Sequence, residues 1–419
     1  MNTLAIFRMD AITPRLVGHI SLDSLTFTYD QIYLTSPDAH ALSCSLPLRE
    51  EAYPENSFKP FFDGLLPEGR WRQAVANELG VEPDNYLMLL FQCGLETIGD
   101  LAVTDGGLPL LESSYRPLSS QDLKRIFSNL DGLAEASTEA RLSLAGAQGK
   151  TGLAHIPGEP MNAGWLQPIS GAASTHILKV GSLKDIPFLE YLCLNTAAAC
   201  GINVPETLLL DFGRPILCVE RYDRKVLSQS EELQVSRLHQ EDFAQALGIM
   251  PSAKYRELTP SSATVIAEFL RLHSTRPIEN IEAFAKITLF NFLIGNCDNH
   301  LKNLSLLYGA AWKNLQLAPL YDAVCTTRFE RFSRAMGMHL GHTSIIDEVS
   351  AQDINAFGND IGLDRQELGE LCGAITSCAP SAINELGQSL PHFEELPYIA
   401  WDLLEDMAPR LQILEQVAK

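Results

Sequence analysis

The chain has 419 residues, 46% of them hydrophobic, with a mean hydropathy of +0.01 and a formal net charge of −21. That is more than one hydrophobic core usually serves, so two or three domains are expected, and no apolar run approaches the length of a membrane span. The acidic balance argues against unaided binding to nucleic acid, which needs Lys and Arg to neutralise phosphates; any DNA contact would go through a basic partner.

The start, Met1 to Arg8, lacks the basic segment, long apolar core and small-residue cleavage site of a signal peptide, which places the protein in the cytoplasm. Nine cysteines include no C-x-x-C and sit mostly inside apolar runs, the pattern of buried thiols rather than zinc ligands or disulfides.

Along the chain, residues 18–22, 25–29 and 32–34 read as short strands of a small sheet. From residue 58 the character changes: helices are predicted over 70–79 and 85–91, a strand over 97–103, and Asp105-Gly106-Gly107 closes it. Residues 108–138, rich in Ser and Pro, read as a linker with one helix at 121–129. A second block opens at Arg141. Its segment 142–153 is rich in glycine and flanked by apolar residues, as expected of a strand–loop that brings backbone N–H groups to a phosphate chain.

Residues 175–180 form a predicted strand with Lys179 inside it. An edge-strand lysine that blunts aggregation is the plain reading; the sharper one is the strand lysine of V-A-I-K type that grips α/β-phosphates. A helix over 187–199 has Pro187 in its first turn and Gly201 just past its end. Glu190 near its start could pair with Lys179, or could be favoured by the helix dipole alone. Strands at 207–210 and 215–219 lead into Glu220-Arg221-Tyr222, placed to offer a backbone hinge to an adenine ring. From His239 onward the chain reads as predominantly helical, with helices over 241–247, 262–273 and 281–294 and no internal repeat.

The densest chemistry lies in Gly295-Asn296-Cys297-Asp298-Asn299-His300-Leu301-Lys302-Asn303. An acid followed five residues later by an asparagine reproduces the spacing of the protein-kinase signature H-R-D-x-x-x-x-N, where the acid takes the substrate hydroxyl's proton and the amide oxygen holds a metal. Asp298 and Asn303 fit those roles, although Asp and Asn also serve simply to cap turns. Cys297 is expected to pack beneath the loop. Residues 315–322 read as a short buried strand ending in Asp322, the placement of a second magnesium ligand. Gly149-Lys150-Thr151 mimics the end of a Walker A motif, but the motif's first glycine position is Leu144, so a P-loop is rejected.

Taken together, these segments in this order, with Leu65-Leu66-Pro67-Glu68-Gly69 before them, resemble the HipA family, serine/threonine kinase toxins of type II toxin–antitoxin systems. The resemblance implies an α+β, protein-kinase-like fold of two lobes, a β-rich nucleotide lobe at 136–225 and an all-α lobe at 226–419, preceded by a β-rich subdomain at 1–135. Nucleotide would bind between the lobes.

It implies ATP and Mg²⁺ as cofactors, with Asp298 as general base and Asn303 and Asp322 on the metal. Lys179 would hold the phosphates, and Ala145, Gly146, Ala147, Gln148, Gly149 and Lys150 would form the phosphate loop. Glu220, Arg221 and Tyr222 would make the adenine hinge; His300, Leu301, Lys302 and Tyr321 would complete the nucleotide contacts, with His300 and Lys302 also in the catalytic group. Ser143 matches a serine whose autophosphorylation switches the kinase off.

Gly149 departs from family members that carry Glu or Pro there, and its extra backbone freedom is expected to slow loop closure. The neutral to acidic segment 366–371 does not carry over the DNA contact of some relatives. Implied partners are a HipB-like helix-turn-helix antitoxin and a protein substrate such as an aminoacyl-tRNA synthetase, glutamyl-tRNA synthetase foremost. DNA would be met only through the antitoxin, with no membrane involved. The alternative is a kinase-fold corepressor with weak or no kinase activity.

Overall fold

The computed structural model describes residues 2–10, 13–109, 113–181, 183–228, 233–255, 262–309 and 312–419. The chain forms two compact units, one made of residues 1–182, 208–251 and 307–313, the other of residues 183–207, 252–306 and 314–419.

The first unit opens with an antiparallel sheet of five strands, β1 (Thr3–Arg8), β2 (Arg15–Ser21), β3 (Thr26–Tyr29), β4 (Tyr53–Pro54) and β5 (Leu101–Thr104), in the order β4-β3-β2-β1-β5. Residues 32–34, expected in a strand, instead form a single helical turn, α1 (Gln31–Leu34). Asp30 causes this: its carboxylate accepts from the backbone N–H of Ile32 (2.9 Å) and Tyr33 (3.1 Å), an N-cap that outweighs the β-propensity of the three side chains.

Helices α2 (Glu55–Gly64), α3 (Gly69–Leu79) and α4 (Tyr86–Cys93) follow. The strand expected at 97–103 begins only at Leu101, because Glu96 pairs its backbone with Arg141 and Ser143 and the Gly99 N–H donates to Asp223.

A six-stranded sheet makes the second large layer of this unit. Its strands are β6 (Ser114–Pro117), β7 (Lys150–His155), β8 (Trp165–Ile169), β9 (His176–Lys179), β10 (Thr207–Asp211) and β11 (Pro215–Glu220), in the order β10-β11-β9-β7-β8-β6. The stretch read as a linker holds two helices. The first, α5 (Ser120–Ile126), has a capping box of Ser119 and Asp122; the second, α6 (Leu130–Glu139), was not anticipated and starts where Asn129 accepts from the Gly132 N–H. Short, with only two leucines in its ten residues, α6 carries little apolar periodicity, yet Leu133, Ala134 and Ala136 are buried.

These helices share one core with α3 and the sheet: Trp71, Leu123, Ile126, Phe127, Leu133, Leu153, Trp165, Leu178 and Ile216 pack together. Layers of this kind bury the apolar stripe of each helix on one face of the sheet.

The second unit is helical, with helices Ile186–Ala199, Ser262–His273, Pro277–Leu293, Ala351–Ile361, Arg365–Gly387 and Leu396–Val417. It also contains a hairpin, Ala335–Leu340 with Thr343–Ile345, in a region read as helical. The strand expected over 315–322 stops at Leu317. Pro319 has no N–H to continue a ladder, and Asp322 sits five residues further on, at φ +52°. No helix among the described residues is long and apolar enough to cross a membrane.

Candidate active site

In the first unit the glycine-rich loop is tied down from two sides. Ser143 is fully buried; its hydroxyl donates to the Leu65 carbonyl (2.7 Å) and its N–H to the Glu96 carbonyl (2.8 Å). Gly146 lies beside Pro67 in a parallel bridge and accepts from the Glu68 N–H (3.0 Å), which ties the Leu65–Gly69 motif to this loop.

Gly146 has φ +104°, and a Cβ there would lie 2.8 Å from the Lys150 ammonium, so glycine lets the loop turn over that lysine. Gly149 is placed differently. A Cβ at that position would come within 2.6 Å of Leu130 Cδ2, the end of a half-exposed side chain that has to turn aside to admit it.

Lys150 on β7 and Lys179 on β9 are direct cross-strand partners, and Lys179 also faces Leu217 of β11. Directly opposed residues put their side chains on the same face. Both lysines are nearly buried, 6% and 4% exposed. Two buried ammonium groups on one face repel each other and lose hydration, a cost that an anion offsets. Gln148 donates to the Val180 carbonyl (3.2 Å), and Val180 N–H to the Gly149 carbonyl (3.1 Å), so the loop's exit runs beside the strand that bears Lys179.

The end of β11 is anchored by a buried ion network. Arg221 meets Asp223 through two contacts (2.9 and 2.7 Å), Glu96 at 3.3 Å and the Thr97 carbonyl at 3.0 Å; Arg224 meets Asp223 at 2.9 Å and Glu96 at 3.3 Å. Burial alone would raise the Asp223 carboxyl, but Arg221 and Arg224 hold it well below the usual carboxylate range. Burial and the neighbouring Arg221 bring Arg224 down to about 10. The Arg221 side chain is thus spent within the unit, and its N–H donates to the Thr175 carbonyl (2.9 Å). Glu220 is exposed and Tyr222 half-buried.

In the second unit, the buried helix Pro277–Leu293 delivers the loop of Asp298. The turn is held by its own amides: Asn296 Oδ1 accepts from the Asp298 N–H (3.0 Å), while Asn296 Nδ2 donates to Asn291 (2.8 Å) and to the Asp322 carbonyl (3.3 Å). Asn303 Nδ2 donates to the Asp298 carbonyl (2.8 Å), and the His300 N–H donates to the same oxygen (2.9 Å). With its nitrogen committed, the Asn303 amide keeps its oxygen as an acceptor.

The Asp298 side chain is half-exposed. Cys297 is buried under the loop, as expected. Tyr321 donates to the Lys302 carbonyl (2.7 Å), joining the segment before Asp322 to the loop. Asp322, a non-glycine residue in the left-handed region, is a strained position of the kind that clusters at functional sites.

Burial, reinforced by the Lys254 and Lys302 ammoniums, pushes the His300 imidazole down to about 3, so it is neutral at working pH. His300 Nδ1 is buried without a hydrogen-bond partner among the described residues, an orphan that a ligand atom would satisfy. Glu190, in helix Ile186–Ala199, is buried.

The donors suit a hard cation held by few protein ligands. Among the described residues no three His, Cys, Asp or Glu side chains converge. Magnesium in phosphoryl-transfer sites typically takes one or two side-chain oxygens and completes its shell with phosphates and water, which the Asn303 amide oxygen and Asp322 carboxylate match.

The HipA-like C-terminal domain model matches residues 142–383, and the HipA N-terminal domain model matches residues 11–104. The chain belongs to the HipA family. It is 35% identical over 364 residues to a putative kinase, Y4mE, of Sinorhizobium fredii, covering 83% of this chain and 84% of that protein. It is 30% identical over 396 residues to the serine/threonine-protein kinase toxin HipA of Shewanella oneidensis, covering 91% of this chain and 89% of the toxin.

A solved structure of HipA with HipB and operator DNA from Shewanella oneidensis superposes with a TM-score of 0.81 at 25% identity, covering 99% of each chain. The fold is therefore the kinase-like fold of HipA, and this member is a kinase-like protein of a toxin–antitoxin family.

Proposed function

We propose that this HipA-family chain transfers the γ-phosphoryl group of ATP to a serine or threonine hydroxyl of a protein. The observation that carries this reading is the Asp298–Asn303 turn: a half-exposed carboxylate held from its backbone side, with an amide five residues on whose nitrogen is bound to the Asp298 carbonyl and whose oxygen is an acceptor. Asp298 orients and deprotonates the acceptor hydroxyl. Lys150 and Lys179 neutralise phosphate charge, so that catalysis is positioning plus electrostatics. Asn303 and Asp322 would hold Mg²⁺, which supplies charge neutralisation at the transferring group when bound.

Ala145–Lys150 would cradle the phosphates, and the β11 end, Glu220 and Tyr222, would border the adenine. The neutral His300, with Leu301, Lys302 and Tyr321, would line the nucleotide. Ser143 is a candidate self-inhibitory phosphosite: its hydroxyl is buried on Leu65, so a phosphate of −1.5 to −2 charge fits only if the loop leaves its seat.

The target is proposed to be a cytosolic aminoacyl-tRNA synthetase. The structural neighbour contains HipB and operator DNA, which supports a small helix-turn-helix antitoxin as partner, with DNA reached through it. The formal charge of −21 suits a basic partner.

The test is radioactive phosphate transfer from Mg·ATP into a lysate, comparing wild type with Asp298→Ala. The expected result is incorporation by wild type reduced at least a hundredfold in the variant, with phosphate on Ser143 in the digested enzyme. Equal incorporation in both proteins, or none in either, would reject the kinase reading and leave the corepressor role. Persistent absence of phosphate at Ser143 in an active enzyme would reject the switch.

A further inference from the structure

The Asp298 carboxylate already has a hydroxyl on it. Tyr255 follows the short turn Pro251–Ala253, is 47% exposed, and donates its phenolic hydroxyl to Asp298 Oδ1 at 2.5 Å. Its ring stands edge-on to His300, centroids 4.9 Å apart. A phenol is protonated at working pH and a carboxylate only accepts, so the direction of this hydrogen bond is fixed. A general base must lie within hydrogen-bond reach of the hydroxyl it deprotonates. The Tyr255 oxygen stands in that place and, like the acceptor, presents a hydroxyl.

We propose that Tyr255 is a built-in acceptor mimic: it caps the base, and the protein substrate's hydroxyl must displace it before phosphate can move. This rests on the phosphotransfer reading of Asp298. Two features separate a cap from a residue that merely orients the base. The Asp298 backbone is held without Tyr255, by Asn296, Asn303 and His300. Tyr255 itself lies outside helix and strand and is half in solvent, so it can swing aside with little packing lost. No bond is made or broken in the exchange; one hydroxyl replaces another on the carboxylate. With Tyr255 displaced, Asp298 would also be more open to water, so the cap limits wasteful hydrolysis of ATP while no substrate is bound.

The experiment uses the full chain and has two arms. Fluorotyrosine placed at position 255 reports the contact by fluorine resonance, with no need for activity. Its signal should move on Asp298→Ala, and an unmoved signal would overturn the proposal. Transfer of labelled γ-phosphate to a pooled serine/threonine peptide library is then compared for wild type, Asp298→Ala and Tyr255→Phe, which keeps the ring and removes the hydroxyl.

The expected result is a rise of about tenfold in kcat/KM for Tyr255→Phe, the factor corresponding to one hydrogen bond to a charged group, together with faster ATP hydrolysis without peptide. An unchanged or lower rate in Tyr255→Phe, with wild type active and Asp298→Ala dead, overturns the cap and leaves the kinase reading standing. Absence of transfer in wild type while the fluorine signal responds to Asp298→Ala overturns the kinase reading and the cap with it.

Discussion

Buried charge lies along the strands proposed to hold phosphate and also marks where the fold is vulnerable. Lys150 and Lys179 face each other across β7 and β9, a placement that weakens a sheet unless something anionic lies above it. His176, three residues earlier on β9, shows the opposite solution, since burial drives its imidazole down to about 4, with a further push from His155. A folded-state value below the ordinary 6.5 means that the unfolded chain binds the extra proton between these limits. Stability from this group is therefore complete above pH 6.5 and is lost as pH falls towards 4, by up to about 3 kcal/mol. Denaturant titrations at pH 7 and pH 4.5 should show a loss in wild type that shrinks in His176→Gln; equal losses would contradict this assignment.

At the scale of elements, legibility followed distance along the chain. The Asp298 turn and the Lys179 strand were readable because each packs its chemistry into fewer than ten consecutive residues. The network that anchors β11 was not, because Glu96 and Arg221 are separated by 125 positions and each reads locally as an ordinary charge. Tyr255 gave no signal for the same reason: its partner lies 43 positions away, and a lone tyrosine in an irregular stretch has no period to betray it. Asp30 converted an expected strand into a helical turn, a case of capping chemistry outweighing side-chain propensity.

Helix α6 escaped notice because, apart from Leu133, its buried face is made of small residues; it packs beside Gly149. Gly149→Ala meets only the end of the half-exposed Leu130 side chain, so it should cost the first unit no more than roughly 1 kcal/mol, and Leu130→Ala should recover part of that loss in the double variant. Additive losses in thermal unfolding would contradict the packing argument.

For the whole molecule, composition and charge narrowed the possibilities without choosing among them. An acidic chain of two units with no apolar span fits many proteins; the order of the motifs and the family match selected one. The division into units cuts across the chain, since residues 208–251 and 307–313 return to the first unit after segments of the second. No local pattern in the sequence announces such returns, because they depend on long-range packing alone.

The central proposal is that Mg·ATP binding by this chain depends on Lys179 and on the carboxylate of Asp322. Calorimetric titration of Mg·ATP into wild type, Lys179→Ala and Asp322→Asn tests this directly. The account predicts a single site in wild type and at least tenfold weaker binding in each variant, with Asp322→Asn losing its advantage of Mg²⁺ over metal-free ATP. Wild-type affinity retained in both variants would contradict it.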